Sequence, residues 1–222
     1  DDTTALVKLR IVTEGQNKHN LPMSIDVIKE AAERSLRGKP ILATYSNWRG
    51  DLEGHRRPQD SEPIGYIIET QNFEYSDTPT GKALFALGLL WKRYAPYQTE
   101  SIYDGKDHSK SVSMEISVDS LIDENNPSAG ISSMSFLGIC VLGEKYPPAS
   151  EEANLKLLTF SEMKNKYEVM FAMESMKINN SKESAVKSSS WANPGRRLYQ
   201  ILLSKSNKLS LLKEAYLIID ES

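Results

Sequence analysis

A succession of strand-like segments, separated by turn-forming clusters and broken by few helical ones, dominates the first two thirds of the chain. Residues 5–13, Ala-Leu-Val-Lys-Leu-Arg-Ile-Val-Thr, alternate in a way that puts Val7, Leu9 and Ile11 on one face of a strand. A polar turn follows at residues 15–20. Ser24 then stands at an N-cap position before Ile25, Val27, Ile28, Ala31, Ala32 and Leu36 at helical spacing. Gly38 and Pro40 end that helix, and residues 40–45 read as the next strand. Strand signals return at residues 64–69, 82–91, 111–118 and 131–142, with turns at 77–81, 104–110 and 123–130. Residues 94–103, with Pro96 near the first turn, fit a short helix. Strands joined by turns predict an α+β protein: a mostly antiparallel β-sheet or barrel with peripheral helices.

Pro147-Pro148 marks a boundary. Beyond it, residues 150–159 and 161–177 read as helical, the latter with a methionine-rich face (Met163, Met170, Met173, Met176) suited to packing. Residues 178–190 have linker composition. The expected organisation is a barrel domain over 1–158, a helical segment and linker over 159–190, and a C-terminal helical extension over 191–222.

With 222 residues, 39% of them hydrophobic and 26% charged, the chain has the make-up of a soluble globular protein. A net charge of −3 argues against a dedicated nucleic-acid binder, which carries a basic excess. Cys140 is the single cysteine, so no intrachain disulfide can form and a reducing compartment is expected. It lies in the apolar run 136–142, as a buried structural thiol would. His19, His55 and His108 are scattered and no zinc-ligand spacing emerges, so neither a metal nor a cofactor is expected. No apolar stretch approaches the ~20 residues needed to cross a membrane, and no signal peptide is evident. A chain opening on Asp1 rather than methionine reads as one from which an upstream piece is missing.

Chemistry concentrates between residues 54 and 117. His55 lies in a polar loop, Gly54-His55-Arg56-Arg57-Pro58, ahead of a strand. Two adjacent arginines disfavour imidazolium and so favour a ring able to accept a proton. Period-two alternation in Ser111-Val112-Ser113-Met114-Glu115-Ile116-Ser117-Val118 puts Ser111, Ser113, Glu115 and Ser117 on one face. In water that face is merely polar. Turned toward His55, it offers Ser113 as nucleophile and Glu115 as a group able to orient the imidazole.

These stretches resemble a known family. Residues 52–57, 63–67 and 80–88 look like the histidine block of the prohead (capsid maturation) proteases of tailed phages, which share the herpesvirus assemblin fold. Val112-Ser113-Met114-Glu115-Ile116 is similar to their serine strand, and residues 136–143 with Pro147-Pro148-Ala149 to the segment that closes their domain. The similarity covers roughly residues 5–155. It implies a serine endopeptidase with His55 as general base, Ser113 as nucleophile and Glu115 as third member, Asp60 and Glu144 being the other acidic choices. It also implies capsid and scaffold precursors as partners, association with further copies of itself, no nucleic acid or membrane, and a place in the host cytoplasm within an assembling procapsid. Assemblins place a second histidine after the serine; this chain has none beyond His108. That departure keeps a second reading open, a catalytically inactive protease-like scaffold or structural component of a phage particle. A third is an unrelated β-rich binding domain.

Overall fold

Alternation in the first strand sets the inside of the molecule. The structure, a computed structural model, describes residues 3–57, 60–69, 72–159 and 162. Strand β1 (Ala5–Thr13) buries Val7, Leu9 and Ile11 completely, as its pattern requires. Helix α1 (Ile25–Ser35) begins where Ser24 accepts the Val27 amide on its side chain and ends at Leu36. Then come β2 (Pro40–Ala43), a small hairpin of β3 (Tyr45–Ser46) and β4 (Asp51–Leu52), β5 (Glu62–Ile67), β6 (Glu74–Thr78) and β7 (Gly81–Leu90). Helix α2 (Pro96–Asp104) has its proline in the first turn, where the missing N–H costs nothing. Three further strands, β8 (Ser109–Leu121), β9 (Ile131–Val141) and β10 (Asn154–Leu157), complete the set.

The hydrogen-bonded order is β1-β10-β8-β9-β2-β5-β7, and β7 pairs back onto β1, so seven strands close into a barrel. β6 hangs on the free part of β7. Every ladder is antiparallel except β2–β9. The expected class, a mostly antiparallel barrel with peripheral helices, is the observed one. The interior is filled from all sides by Leu9, Ile41, Ile67, Leu84, Leu90, Phe136, Ile139 and Leu155. Phe136 is wholly buried, and burial of that size stabilises by about 2–3 kcal/mol. Helix α1 adds Ile28, Ala31 and Ala32 to the same core. No helix among the described residues is long and apolar enough to cross a membrane.

Three places depart from the expectation, the first being the β3–β4 hairpin, which forms where a polar loop over 46–62 was expected. Residues 150–159 form no helix; they contain β10. Leu155 is buried with Ala153, while Asn154 and Lys156 point away, and the segment fills the slot between β1 and β8. Backbone groups on both flanking strands need partners there, and that demand overrides local helix propensity. β6 was not foreseen because Glu-Tyr-Ser-Asp-Thr carries no apolar alternation; it is an edge strand held by β7 alone. The chain divides into two units, Asp1–Lys164 and Asn165–Ser222. The second unit, with the expected methionine-rich helix, linker and C-terminal extension, lies outside the described residues.

Candidate active site

β8 carries the site on its outer face. Val112, Met114 and Ile116 pack against the core, so Ser113 and Glu115 point outward. Across the ladder with β9, Ser113 faces Cys140 and Glu115 faces Gly138. Cys140 in turn stands beside Leu42 of β2 through the parallel pairing. Directly after the Glu115–Gly138 pair the register shifts: Ile116 meets Phe136, and Leu137 is left over as a bulge, half exposed. The Phe136 N–H donates to Ser35 Oγ at 2.8 Å, which fastens the bulge to helix α1. Opposite Glu115 there is no side chain, only Gly138.

His55 arrives from the chain that follows β4. That chain is held at several points. The Glu53 amide donates to Thr44 O at 2.8 Å, and Leu52 is buried. Gly143 lies so close to the Leu52 carbonyl that any side chain there would collide with backbone; only glycine permits the approach. Asp51 accepts from Lys110 Nζ, Ser101 Oγ and the Glu144 amide, each at 2.9 Å. Burial alone would raise its pKa, but Lys110, the Glu144 and Leu52 amides and Ser101 outweigh it and hold the carboxyl below its ordinary value. Arg56, one of the two arginines beside His55, forms an ion pair with Glu53, which offsets its charge.

The imidazole meets Glu115: His55 Nδ1 lies 3.3 Å from Glu115 Oε1. The ring is 45% exposed and the carboxylate 22%, so the pair sits at the surface rather than in the interior. Cys140 joins them, and a ligating atom from each of His55, Glu115 and Cys140 lies within 4.8 Å of the others. Burial first, and then the Glu115 charge, push the Cys140 thiol up to about 12, so it is protonated at neutral pH. Ser113 is one pleat from Glu115, about 6.8 Å along the strand, and only 6% exposed. Its hydroxyl makes no hydrogen bond to His55 or to any other described side chain. The other acidic choices lie elsewhere. Glu144 reaches Lys110, and the described contacts of Asp60 are through its backbone. His108 is taken up by Tyr103, donating from Nδ1 to its carbonyl and stacking on its ring.

Sequence reasoning thus named His55, Ser113 and Glu115, and the structure puts His55 against Glu115 with Ser113 next along the strand. Cys140 is the buried thiol the sequence suggested, but its place beside His55 and Glu115 was not foreseen. Alternation in 136–142 could have shown which face Cys140 occupies, but not that β9 pairs with β8 in the register that sets it opposite Ser113.

The family model described as the YonD N-terminal domain matches residues 2–178. The chain belongs to that family. No curated protein matches it. In this YonD N-terminal domain the matched stretch takes in the whole barrel and every residue of the cluster at His55.

Proposed function

We propose that this YonD N-terminal domain is a serine endopeptidase of the prohead type, cleaving scaffold and capsid precursors during phage head maturation. The observation that carries the reading is the 3.3 Å contact of His55 Nδ1 with Glu115 Oε1, on the strand face that also bears Ser113. A carboxylate at Nδ1 holds the ring in the tautomer whose Nε2 lone pair is free to take a proton. In the proposed reaction Ser113 Oγ attacks the scissile carbonyl as its proton passes to Nε2. The tetrahedral adduct collapses, the C–N bond breaks, and the imidazolium returns that proton to the departing amine. Water, deprotonated by the same ring, then hydrolyses the ester and frees Ser113. Catalytic hydrogen bonds commonly tighten only when substrate binds, so a Ser113–His55 hydrogen bond would form on binding in this reading.

A second reading, a protease-like structural component without activity, is favoured by one observation: Ser113 is 6% exposed and unpaired with His55. Intact-mass analysis separates the two. The wild-type chain, incubated with capsid and scaffold precursors, is expected to yield discrete fragments. Ser113→Ala and His55→Ala are expected to yield none, and Glu115→Gln to cleave about 100- to 10,000-fold more slowly. A serine-directed fluorophosphonate should add its mass to wild type at Ser113 alone. Fragments from the Ser113→Ala chain would overturn the assignment, and no fragments from wild type with cleavable precursors would favour the structural reading.

A further inference from the structure

The grouping of His55, Glu115 and Cys140 has chemistry of its own, whatever Ser113 does. An imidazole nitrogen, a carboxylate oxygen and a sulfur converge within 4.8 Å from three separate segments. Two of them sit on directly paired strands, and the third on a chain fastened by Asp51, Leu52 and Glu53. The donors are therefore held in place by the fold rather than gathered by chance from flexible termini. The His55–Glu115 separation of 3.3 Å is also informative. In a tetrahedral site with bonds of about 2.0 Å to nitrogen and oxygen, two ligands stand roughly 3.3 Å apart. Sulfur takes a longer bond of about 2.3 Å and stands somewhat farther off.

We propose that His55, Glu115 and Cys140 form a binding site for one zinc-class divalent cation, which releases the Cys140 thiol proton to solvent as the metal–sulfur bond forms. The mixed N, O and S set selects against magnesium and calcium, which take oxygen ligands, and suits borderline-soft metals. Three protein donors leave the fourth position open, bordered by Ser113 across the ladder from Cys140. The site itself does not depend on the peptidase reading, but one consequence rests on it. A cation on Nδ1 leaves the ring proton on Nε2, where no lone pair remains to accept a proton from a hydroxyl. An occupied site would hold the peptidase off.

Cobalt(II), added to the full chain without substrate, tests the site. The expected result is one equivalent bound, with a thiolate-to-cobalt charge-transfer band in the near ultraviolet and tetrahedral visible bands, both abolished by zinc and untouched by magnesium. His55→Ala, at an exposed position that a fold tolerates, should weaken binding by at least about tenfold. Cys140→Ser should lose the near-ultraviolet band, with far-UV circular dichroism verifying that each variant is folded. Absence of the band in wild type, or an unchanged titration in folded His55→Ala, would overturn the site. Because no substrate is involved, failure to cleave peptides would count against the peptidase alone.

Discussion

Asp51 never touches His55, yet it decides where His55 is. Its carboxylate ties the start of the His55 segment to Lys110 on β8, to Ser101 on α2 and to the amide after Gly143. Lys110 has 7% of its side chain exposed, and its other acidic partner, Glu144, is 78% exposed. Asp51→Asn therefore leaves a buried ammonium with one weakly held partner. It should cost about 2–4 kcal/mol of stability at neutral pH, read from urea unfolding. The pH dependence has a definite sign. The folded-state pKa of Asp51 is lowered, so its contribution is complete above the unfolded value of about 3.9 and is lost as pH falls through the folded value. The gap between wild type and Asp51→Asn should then be full at pH 7 and shrink below about pH 4. A gap that persisted undiminished in acid would remove the carboxylate from the explanation.

At the scale of elements, the bulge at Leu137 lets one strand serve two purposes. On one side of it Phe136 fills the barrel; on the other Ile139 and Val141 do, and Cys140 faces out. Were Leu137 paired as an ordinary strand residue instead of left over, the side chains beyond it would trade faces. Deleting Leu137 should turn the ladder into regular pairing with Ile139 still inward and Cys140 still outward, and so leave cobalt binding in place. Leu137→Ala, at a half-exposed position, should change stability by no more than about 0.5 kcal/mol. Urea unfolding of Leu137→Ala and cobalt titration of the deletion variant check this, and loss of cobalt binding in a folded deletion variant would deny the register. The same strands mark what a sequence reader can see. Ser24 capping α1, the alternation of β1 and the polar face of β8 are local signals, and each is found as read. The short-range pattern of Glu-Glu-Ala-Asn-Leu-Lys-Leu-Leu, by contrast, favours a helix. Only its neighbours β1 and β8, distant in sequence, make it a strand. Cys140 escaped for a related reason: cross-strand register is a long-range property, and bulges alter it where nothing local announces them.

For the whole molecule, the barrel is complete only when β10 is in place. It joins β1 to β8 through short ladders on either side, and without it both strands present open edges. A chain ended after Lys164 retains the entire first unit and should unfold in one cooperative transition. One ended after Ser150 lacks β10 and should aggregate or melt at a markedly lower temperature. Comparable melting of the two would mean that closure contributes little.

Closure also has a consequence in time. Val7 must find Leu157, and on its other side Gly88, so the first strand waits for partners far along the chain. Domains dominated by such distant pairings fold in milliseconds to seconds, because loop-closure entropy is spent before the contacts return anything. During that interval β1 and β8 remain exposed as templates for other chains. Yield of native protein should accordingly be governed by concentration and temperature during folding more than by final stability: dilute, cool refolding lets Leu157 reach Val7 before a neighbour does.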